Sequence, residues 1–408
     1  MQNTAPQQTA PNVPQLRFSE FKDEWNKKEL KEVSWFWNGS AHEQNISANG
    51  RYIVINSKFI STNGKVKKHS KDQISPLKRG DIAIVMSDIP KGSALAKCFL
   101  VDKDGAYTLN QRIGGINSDE IISQFLVKIL NRNRFLLKID NGVSQTNLRK
   151  NEILKCPVVF PAATEQKKIA DFLGAVDLWI ENLRKQKLEL EKYKKGMMQK
   201  IFSQEIRFKE DEGNNYPDWN VKKMSDIFER ITRKNKNNTK NVLTISAQQG
   251  LINQENYFNK SVSALSLIGY YLLYKGEFAY NKSYSKGYPM GAIKKLDKYN
   301  KGVVSTLYIC FKVKDNSNSE DFFKHLFDNG TLNRQIRNIA QEGARAHGLL
   351  NLSATDFFED IKVFVPTIDE QQKIADFLSS IDNLIESKQK QIDKAELWKK
   401  GLMQSMFV

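Results

Sequence analysis

The sequence predicts an α+β protein in which two mixed α/β domains are separated by two long helices that pair as a coiled coil. Three observations carry that reading: a long internal repeat, an apolar 4-3 alternation inside each copy, and a net charge of +17 that lies almost entirely outside the copies.

The repeat comes first. Residues 160–202 and 365–407 align without a gap and are identical at 21 of 43 positions. Pro161 and Pro366 stand where proline is tolerated, ahead of the first helical turn, and Thr164 and Asp369 are the expected N-caps. In the first copy the apolar seam runs through Ile169, Leu173, Val176, Ile180 and Leu183, and on to Leu190, Met197 and Ile201. In the second it runs through Ile374, Leu378, Ile381, Ile385 and Ile392, and on to Ala395, Leu402 and Met406. That spacing is a coiled-coil seam. About 40 residues at 1.5 Å each make a rod of about 60 Å, which needs a partner rod, and the other copy is the nearest. Lysines occupy four seam positions (Lys187, Lys194, Lys388, Lys399). Full-length antiparallel pairing would bring Lys187 near Lys388, so either the ammonium groups snorkel outward or the register slips; both remain open at this level.

The repeat extends weakly beyond the rods. Leu16-Arg17-Phe18 followed by Trp25 matches Ile206-Arg207-Phe208 followed by Trp219, and Gly80-Asp81-Ile82-Ala83 with Ser87 echoes Gly276-Glu277-Phe278-Ala279 with Ser283. The plan is therefore a tail (1–15), a first variable domain (16–160), a central helix (161–205), a second variable domain (206–364) and a C-terminal helix (365–408). The tail is rich in Gln and Pro, lacks the basic start and apolar core of a signal peptide, and is expected to be disordered. Strands are expected at Tyr52–Asn56, Asp81–Met86, Asn241–Ser246, Gly269–Tyr274 and Val303–Phe311. Helices are expected at Ile121–Ile129, Ser319–Phe327 and Leu332–Ala340.

The composition, 40% hydrophobic and 27% charged, is globular. No apolar run reaches the roughly 18 residues of a membrane helix. Cys98, Cys156 and Cys310 are odd in number and scattered, which disfavours a disulfide framework or a cysteine-rich zinc site and fits a reducing cytoplasm.

The variable segments carry net charges of +9 and +7, against +2 and −1 for the helical blocks. A solvated surface would not be partitioned this way, and a polyanionic partner, nucleic acid, is expected on the variable domains. In the first, Lys65, Lys67, Lys68 and Lys71 cluster around a Gly64 turn as candidate phosphate contacts. Ser87, Lys91, Gln111 and Arg112 flank strand ends and are candidate base readers, arginine suiting guanine and glutamine adenine. In the second, lysines and tyrosines interleave through Asn281, Lys282, Ser283, Tyr284, Lys286 and Tyr288, with Gly287 permitting close backbone approach. Arg345 and His347 form a second candidate pair between Gly343 and Gly348, and Arg230, Arg233, Lys234, Lys236 and Lys240 look like phosphate positioners, or merely a charged loop.

Catalytic signatures are missing. There is no GxxxxGK[ST] and no GxGxxG, and His42-Glu43 lacks a second histidine at Ile46. The [DNS]PP[YFW] tetrapeptide of amino-methyltransferases is absent, Pro217-Asp218 has no matching Glu-x-Lys, and four dispersed histidines do not suggest a metal site.

The twice-repeated P-x-x-x-E-Q-x-K-I-A-D-F-L block (Pro161 to Leu173, Pro366 to Leu378) heads a helix ending in K-K-G-[ML]-M-Q (Lys194–Gln199, Lys399–Gln404). In these features the chain resembles the specificity subunits of type I restriction-modification enzymes. The resemblance covers roughly residues 15–408. It implies that each variable domain is a target recognition domain for one half of a bipartite, asymmetric site on double-stranded DNA, and that the helices pair as an antiparallel coiled coil setting the spacer. It further implies that two methyltransferase subunits dock on the helices and that motor-nuclease subunits complete the complex. The chain itself would then bind no cofactor, with S-adenosylmethionine, ATP and Mg on the partners. The alternative is a DNA-binding transcriptional regulator with two dissimilar reading domains, although regulators usually reach two sites by homodimerising on palindromes.

Overall fold

The computed structural model describes residues 12–89, 92–140, 146–246, 249–255, 267–285, 287–340 and 350–408. The chain forms two compact units, Met1–Leu183 with Gln391–Val408, and Arg184–Lys390. The expected tail lies up to residue 11 outside the described residues. Of its remainder, Pro14 is buried and the Asn12 carbonyl accepts from Trp25 N at 3.1 Å.

Both rods are continuous helices, Ala163–Phe202 and Ile368–Ser405. They begin before Thr164 and Asp369, so these residues stand inside the first turn and are not the caps. The preceding carbonyls already close the turn: Ala162 O accepts from Glu165 N at 3.0 Å, and Thr367 O from Gln371 N at 2.9 Å. A glutamine ties down each entry. Gln166 donates to Pro161 O at 2.9 Å and Gln371 to Pro366 O at 3.0 Å.

In the first unit, strand Ile82–Val85 is buried along its whole length, which its uninterrupted apolar sequence requires. It sits inside an antiparallel sheet of order Trp35–Asn38, Ile113–Asn117, Ile82–Val85, Cys98–Leu100. A second sheet joins His69–Ser70, Tyr52–Ile55 and Tyr107–Leu109, the last two in parallel. A ribbon of Asn26–Glu29 with Pro157–Phe160 precedes the rod. One core runs from Leu30, Ile82 and Phe125 through Ile169, Leu173, Val176, Ile180 and Leu183 to Ile392, Leu402 and Met406. The start of the central rod is thus packed against the end of the C-terminal rod.

The second unit repeats the architecture. Its antiparallel sheet has the order Phe228–Ile231, Ile309–Val313, Phe278–Asn281, Ala292–Lys295. The corresponding ribbon is Asn220–Lys223 with Lys362–Val365. Its core joins Phe228, Phe278, Phe311 and Phe322 to Met198 and Ile201 on one rod and Ile374, Leu378 and Ile381 on the other. Ile385 is only partly buried beside it. The single strand expected at Val303–Phe311 is two, Lys301–Val304 and Ile309–Val313. They belong to different sheets, and the chain turns between them, where Tyr308 N donates to Ser305 O at 3.1 Å. Apolar content alone does not register such a break.

Gly80 and Gly276 explain one of the weaker echoes. Both have φ of +94°, a conformation that costs glycine little, and both turn the chain into the third strand of their sheet. The acid that follows each closes the turn: Asp81 accepts from Lys78 N at 2.7 Å, and Glu277 from Tyr274 N at 2.7 Å.

The seam lysines are matched within each unit. Lys399 pairs with Asp177 in the first, and Lys194 with Asp382 at 2.6 Å in the second. The offset of the repeat converts one pair into the other, and within each unit the two helix segments run antiparallel. Lys187 turns along its own helix to Glu191 at 3.3 Å.

A third group joins each pair. Lys128 reaches Asp177 at 2.5 Å. Burial works to raise the Asp177 carboxyl, but hydrogen bonds from Lys128 and Lys399 together hold it below its usual range. In the second unit that place is taken by His325, fully buried, with Nε2 3.1 Å from Ser379 Oγ and Nδ1 3.9 Å from Asp382. Burial, reinforced by Lys194, Lys324 and Lys295, pushes His325 down to about 2. An unfolded histidine takes its proton near pH 6.5, so the unfolded chain binds the extra proton first. The second unit is therefore expected to lose stability as pH falls from about 6.5 towards 2. Urea unfolding from pH 7 to pH 4 checks this: His325→Gln should flatten the pH dependence, and an unchanged slope would contradict it.

Candidate functional site

The expected nucleic-acid contacts lie on separate loops of the two units. Lys65, Lys67, Lys68 and Lys71 are all exposed and have no carboxylate partner among the described residues. They stay beside the short sheet because Val54 N donates to Lys68 O at 2.9 Å and Lys71 N to Asn45 O at 3.1 Å. Gln111 and Arg112 sit on the exposed turn before strand Ile113–Asn117. Arg112 adopts a φ of +64°, and Gln111 donates to Glu43 at 2.5 Å. Ser87 is buried and pairs with Asn147, so its hydroxyl is not at the surface. Lys91 lies outside the described residues.

In the second unit the tyrosine-lysine stretch divides by burial. Tyr280 is core, donating to Met290 O at 2.7 Å with its ring 5.3 Å from Phe357. Asn281 ends the strand and caps the bend by accepting from Ser283 N at 3.0 Å. Lys282 points back to Leu352 O at 3.0 Å, and partial burial lowers its pKa. Ser283 is half-buried and Tyr284 is 60% exposed. Ser285 and Tyr288 then bond to each other across a tight turn, in which Gly287 has φ of +86°, and the Tyr288 ring lies 5.0 Å from Lys294 Nζ. Among the described residues of the stretch, Tyr284 and Gly287 are the exposed ones. Lys286, Arg345 and His347 lie outside the described residues.

Arg233 has a structural occupation that the sequence reading missed. Its guanidinium donates to both oxygens of Glu277, at 2.8 and 2.6 Å, and lies 4.3 Å from the Tyr274 ring. The acid that closes the Gly276 turn thus consumes this charge. Lys234 stays exposed, donating to Gly269 O at 2.9 Å and lying 4.3 Å from the Tyr271 ring.

Two features escaped the sequence reading altogether. The first is a buried clamp at the start of each rod. Arg17 donates through two nitrogens to Glu165, both at 2.7 Å, and Arg207 does the same to Glu370 at 3.1 and 2.7 Å. Gln166 and Gln371 accept from Ile122 N and Ser319 N, each at 2.8 Å. The repeated Leu/Ile-Arg-Phe and Glu-Gln motifs were the available signal, since both copies keep both halves of the contact.

The second is apolar surface on the rods. In the first unit Phe18, Phe172, Trp398 and Trp179 form an edge-to-face series with centroids 5.9, 6.2 and 6.3 Å apart. Trp179 and Trp398 remain 47% and 48% exposed, beside Leu178 and Leu397 at 57% and 71%. The same series opens onto a depression lined by Phe18, Thr164, Lys167, Lys168, Asp171 and Phe172. The equivalent positions of the second unit are Phe208 and Phe377, 5.7 Å apart, with Leu384 and Tyr193 exposed at 54% and 52%. Isolated exposed apolar residues are ordinary, but a contiguous set on a charged helix marks an interaction surface.

No described helix is long and apolar enough to cross a membrane. Among the described residues no cluster of His, Cys, Asp or Glu could hold a metal ion, and the three cysteines are free.

Comparison with known proteins gives a consistent result. The type I restriction modification DNA specificity domain family matches the chain twice, over residues 22–192 and 216–397. A protein of Methanocaldococcus jannaschii, provisionally named the specificity subunit of type I restriction enzyme MjaX, is 23% identical over 96% of this chain and 95% of its own. The MjaVIII specificity subunit of the same organism is 27% identical over 64% of this chain and 63% of its own. Among solved structures, the S subunit of a type I restriction-modification system from M. genitalium superposes with a TM-score of 0.59 at 16% identity, covering 97% of this chain and 99% of that one. A chain from a type I restriction-modification complex gives 0.50 at 16% identity, covering 94% and 96%. At these identities the superpositions establish the fold.

Proposed function

The chain belongs to the type I restriction-modification DNA specificity family, and on that premise we propose that it reads a bipartite, asymmetric DNA site for a methyltransferase and nuclease assembly. Each variable domain takes one half-site, and the paired rods set the spacer between them. The single observation that carries this reading is that one architecture occurs twice with different residues on its loops. The four-stranded sheet has the same strand order in both units, yet Lys65 to Lys71 in one and Ser283 to Tyr288 in the other share no pattern. Two readers of one fold and different surface suit two different half-sites, whereas a homodimeric regulator would present one surface twice. The excess positive charge on the variable segments supplies the backbone attraction common to all sequences, and loop side chains at base edges supply the choice.

In this reading the chain performs no chemistry. Two methyltransferase subunits bring S-adenosylmethionine, and motor-nuclease subunits bring ATP and Mg, all in the cytoplasm where the DNA is. Mapping methylated adenines in cells with and without the chain, with its methyltransferase partner present in both, tests the proposal. A non-palindromic motif of two blocks should appear only with the chain. No change in the map would overturn it.

We further propose that the methyltransferase subunits dock on the exposed apolar surface of the rods. The second unit keeps Phe208, Phe377, Tyr193 and Leu384 at the equivalent positions, with Lys192 and Asn383 in place of Leu397 and Leu178, and an apolar site in each unit suits two copies of one partner. Buried tryptophans dominate interface energies, at 2 kcal/mol or more each. Replacing Trp179 and Trp398 together by alanine is therefore expected to weaken one docking position by about 4 kcal/mol, roughly a thousandfold, and to lower the stoichiometry from two methyltransferase subunits to one. Mass photometry reads this directly, and an unchanged stoichiometry and affinity would refute the placement.

A further inference from the structure

The second unit carries a polar cradle of which the sequence pointed only to Lys240. Its two walls are the segments around residues 237–241 and 298–301. Three lysines line it, Lys240, Lys298 and Lys301, together with Asn237, Thr239 and Asn300, and no carboxylate does. All three lysines are exposed. None has a carboxylate within ion-pair distance among the described residues. That contrasts with the lysines nearby. Lys294 is paired to Asp328, Lys295 to Asp321, and Lys324 to Asp297.

The cradle is also preorganised. Fully buried Asn235 staples the first wall: it accepts from Thr239 N at 2.8 Å and donates to Thr239 O and Leu267 O at 3.0 and 3.3 Å. Asn241 fastens the walls together by donating to Lys301 O at 2.9 Å. Asn253 braces both sides, donating from its amide to Asn241 Oδ1 at 3.0 Å and from its backbone N to Tyr299 Oη at 3.3 Å. Glu386 lies within electrostatic range of Lys298, but none of the three ammonium groups has a carboxylate at ion-pair distance among the described residues, and a frame holding them together favours an anion between them. Lysine binds phosphate as a flexible point charge and reads no base.

We propose that this cradle grips the phosphodiester backbone of DNA and positions the second unit on the duplex without reading sequence. The proposal rests on the DNA-binding role above and adds a site to it. The test uses the full chain carrying Lys240→Gln, Lys298→Gln and Lys301→Gln together, with binding to a cognate and an unrelated duplex measured across a salt series. Each lost phosphate contact lowers the slope of log K against log [salt] by about 0.9, so the slope should fall by about 2.7. The loss should be equal on both duplexes, the methylated motif unchanged, and the thermal midpoint preserved because the side chains are exposed. An unchanged slope would overturn the cradle, and a changed motif would make these lysines base readers. If inorganic phosphate binds the wild type but not the variant while duplex binding keeps its slope, the site holds free anions and the backbone assignment falls. Because the slope can be measured on an unrelated duplex, this result stands apart from any failure of the methylation map.

Discussion

Arg17→Ala is expected to destabilise the first unit by ~3–5 kcal/mol, because it strands a charge that cannot reach water. The Glu165 side chain is 2% exposed, and Arg17 supplies it with two hydrogen bonds of 2.7 Å. Such paired, charge-assisted contacts are at the strong end of protein hydrogen bonding. The second unit offers an internal control. Glu370 is equally inaccessible and receives Arg207, but it also accepts from the Trp219 indole at 3.1 Å. The corresponding indole nitrogen in the first unit, on Trp25, is buried without a hydrogen-bond partner. Arg207→Ala therefore leaves its glutamate one donor, and its cost should be the smaller of the two. Hydrogen exchange over residues 163–173 and 368–378 measures the two clamps separately. Equal protection losses, or the reverse order, would refute this account. Removing both partners, as Arg17→Met with Glu165→Leu, should recover most of the loss, since a buried ion pair replaced by apolar groups is often neutral.

These clamps mark the boundary of what was legible in the sequence. Both rods were legible because a seam is a local periodicity: nine of the ten seam residues from Ile169 to Ile392 are buried, Ile385 being the partial exception. Their register was not, because it depends on which acid meets Lys194 and Lys399. Asp177 and Asp382 precede those lysines by 17 residues in each copy, a spacing that conveys nothing until the rods face each other. Arg17 and Glu165 are 148 residues apart, and their joint recurrence with Arg207 and Glu370 was the one signal of a contact, and it went unused. Charge was the least reliable guide. Arg233 looked as available as Lys240, yet Glu277 consumes it, 44 residues on. Lys298 and Lys301 drew no notice, because their neighbour Lys240 lies on a distant loop. Strand Ile82–Val85 could be located from apolar content, whereas the break between Val304 and Ile309 could not, since the turn there contains no glycine or proline to announce it.

Removing one heptad from each rod, Lys185–Glu191 together with Ile385–Gln391, is expected to change the recognised spacer and leave both half-sites intact. The two deletions face each other in the register defined by Asp177 with Lys399 and Lys194 with Asp382. Both ion pairs therefore survive, as do the buried positions on either side of the cut. A deletion in the central rod alone would displace Lys194 by seven residues from Asp382 while Asp177 still held Lys399, so the two pairs could not form together. That single variant should lose stability where the matched one keeps it. Seven residues shorten a helix by about 10 Å and rotate it by only about 20°. Along the DNA axis, 10 Å corresponds to about three base pairs at 3.4 Å each. Three base pairs also turn the duplex by about 100°, a third of its roughly 10-pair repeat. The shortened reader must twist its target or accept a poorer fit. The expected methylation map therefore shows both original blocks, a spacer shorter by about three base pairs, and incomplete occupancy. An unchanged spacer would show that the rods do not measure distance, and altered blocks would show that they take part in reading bases.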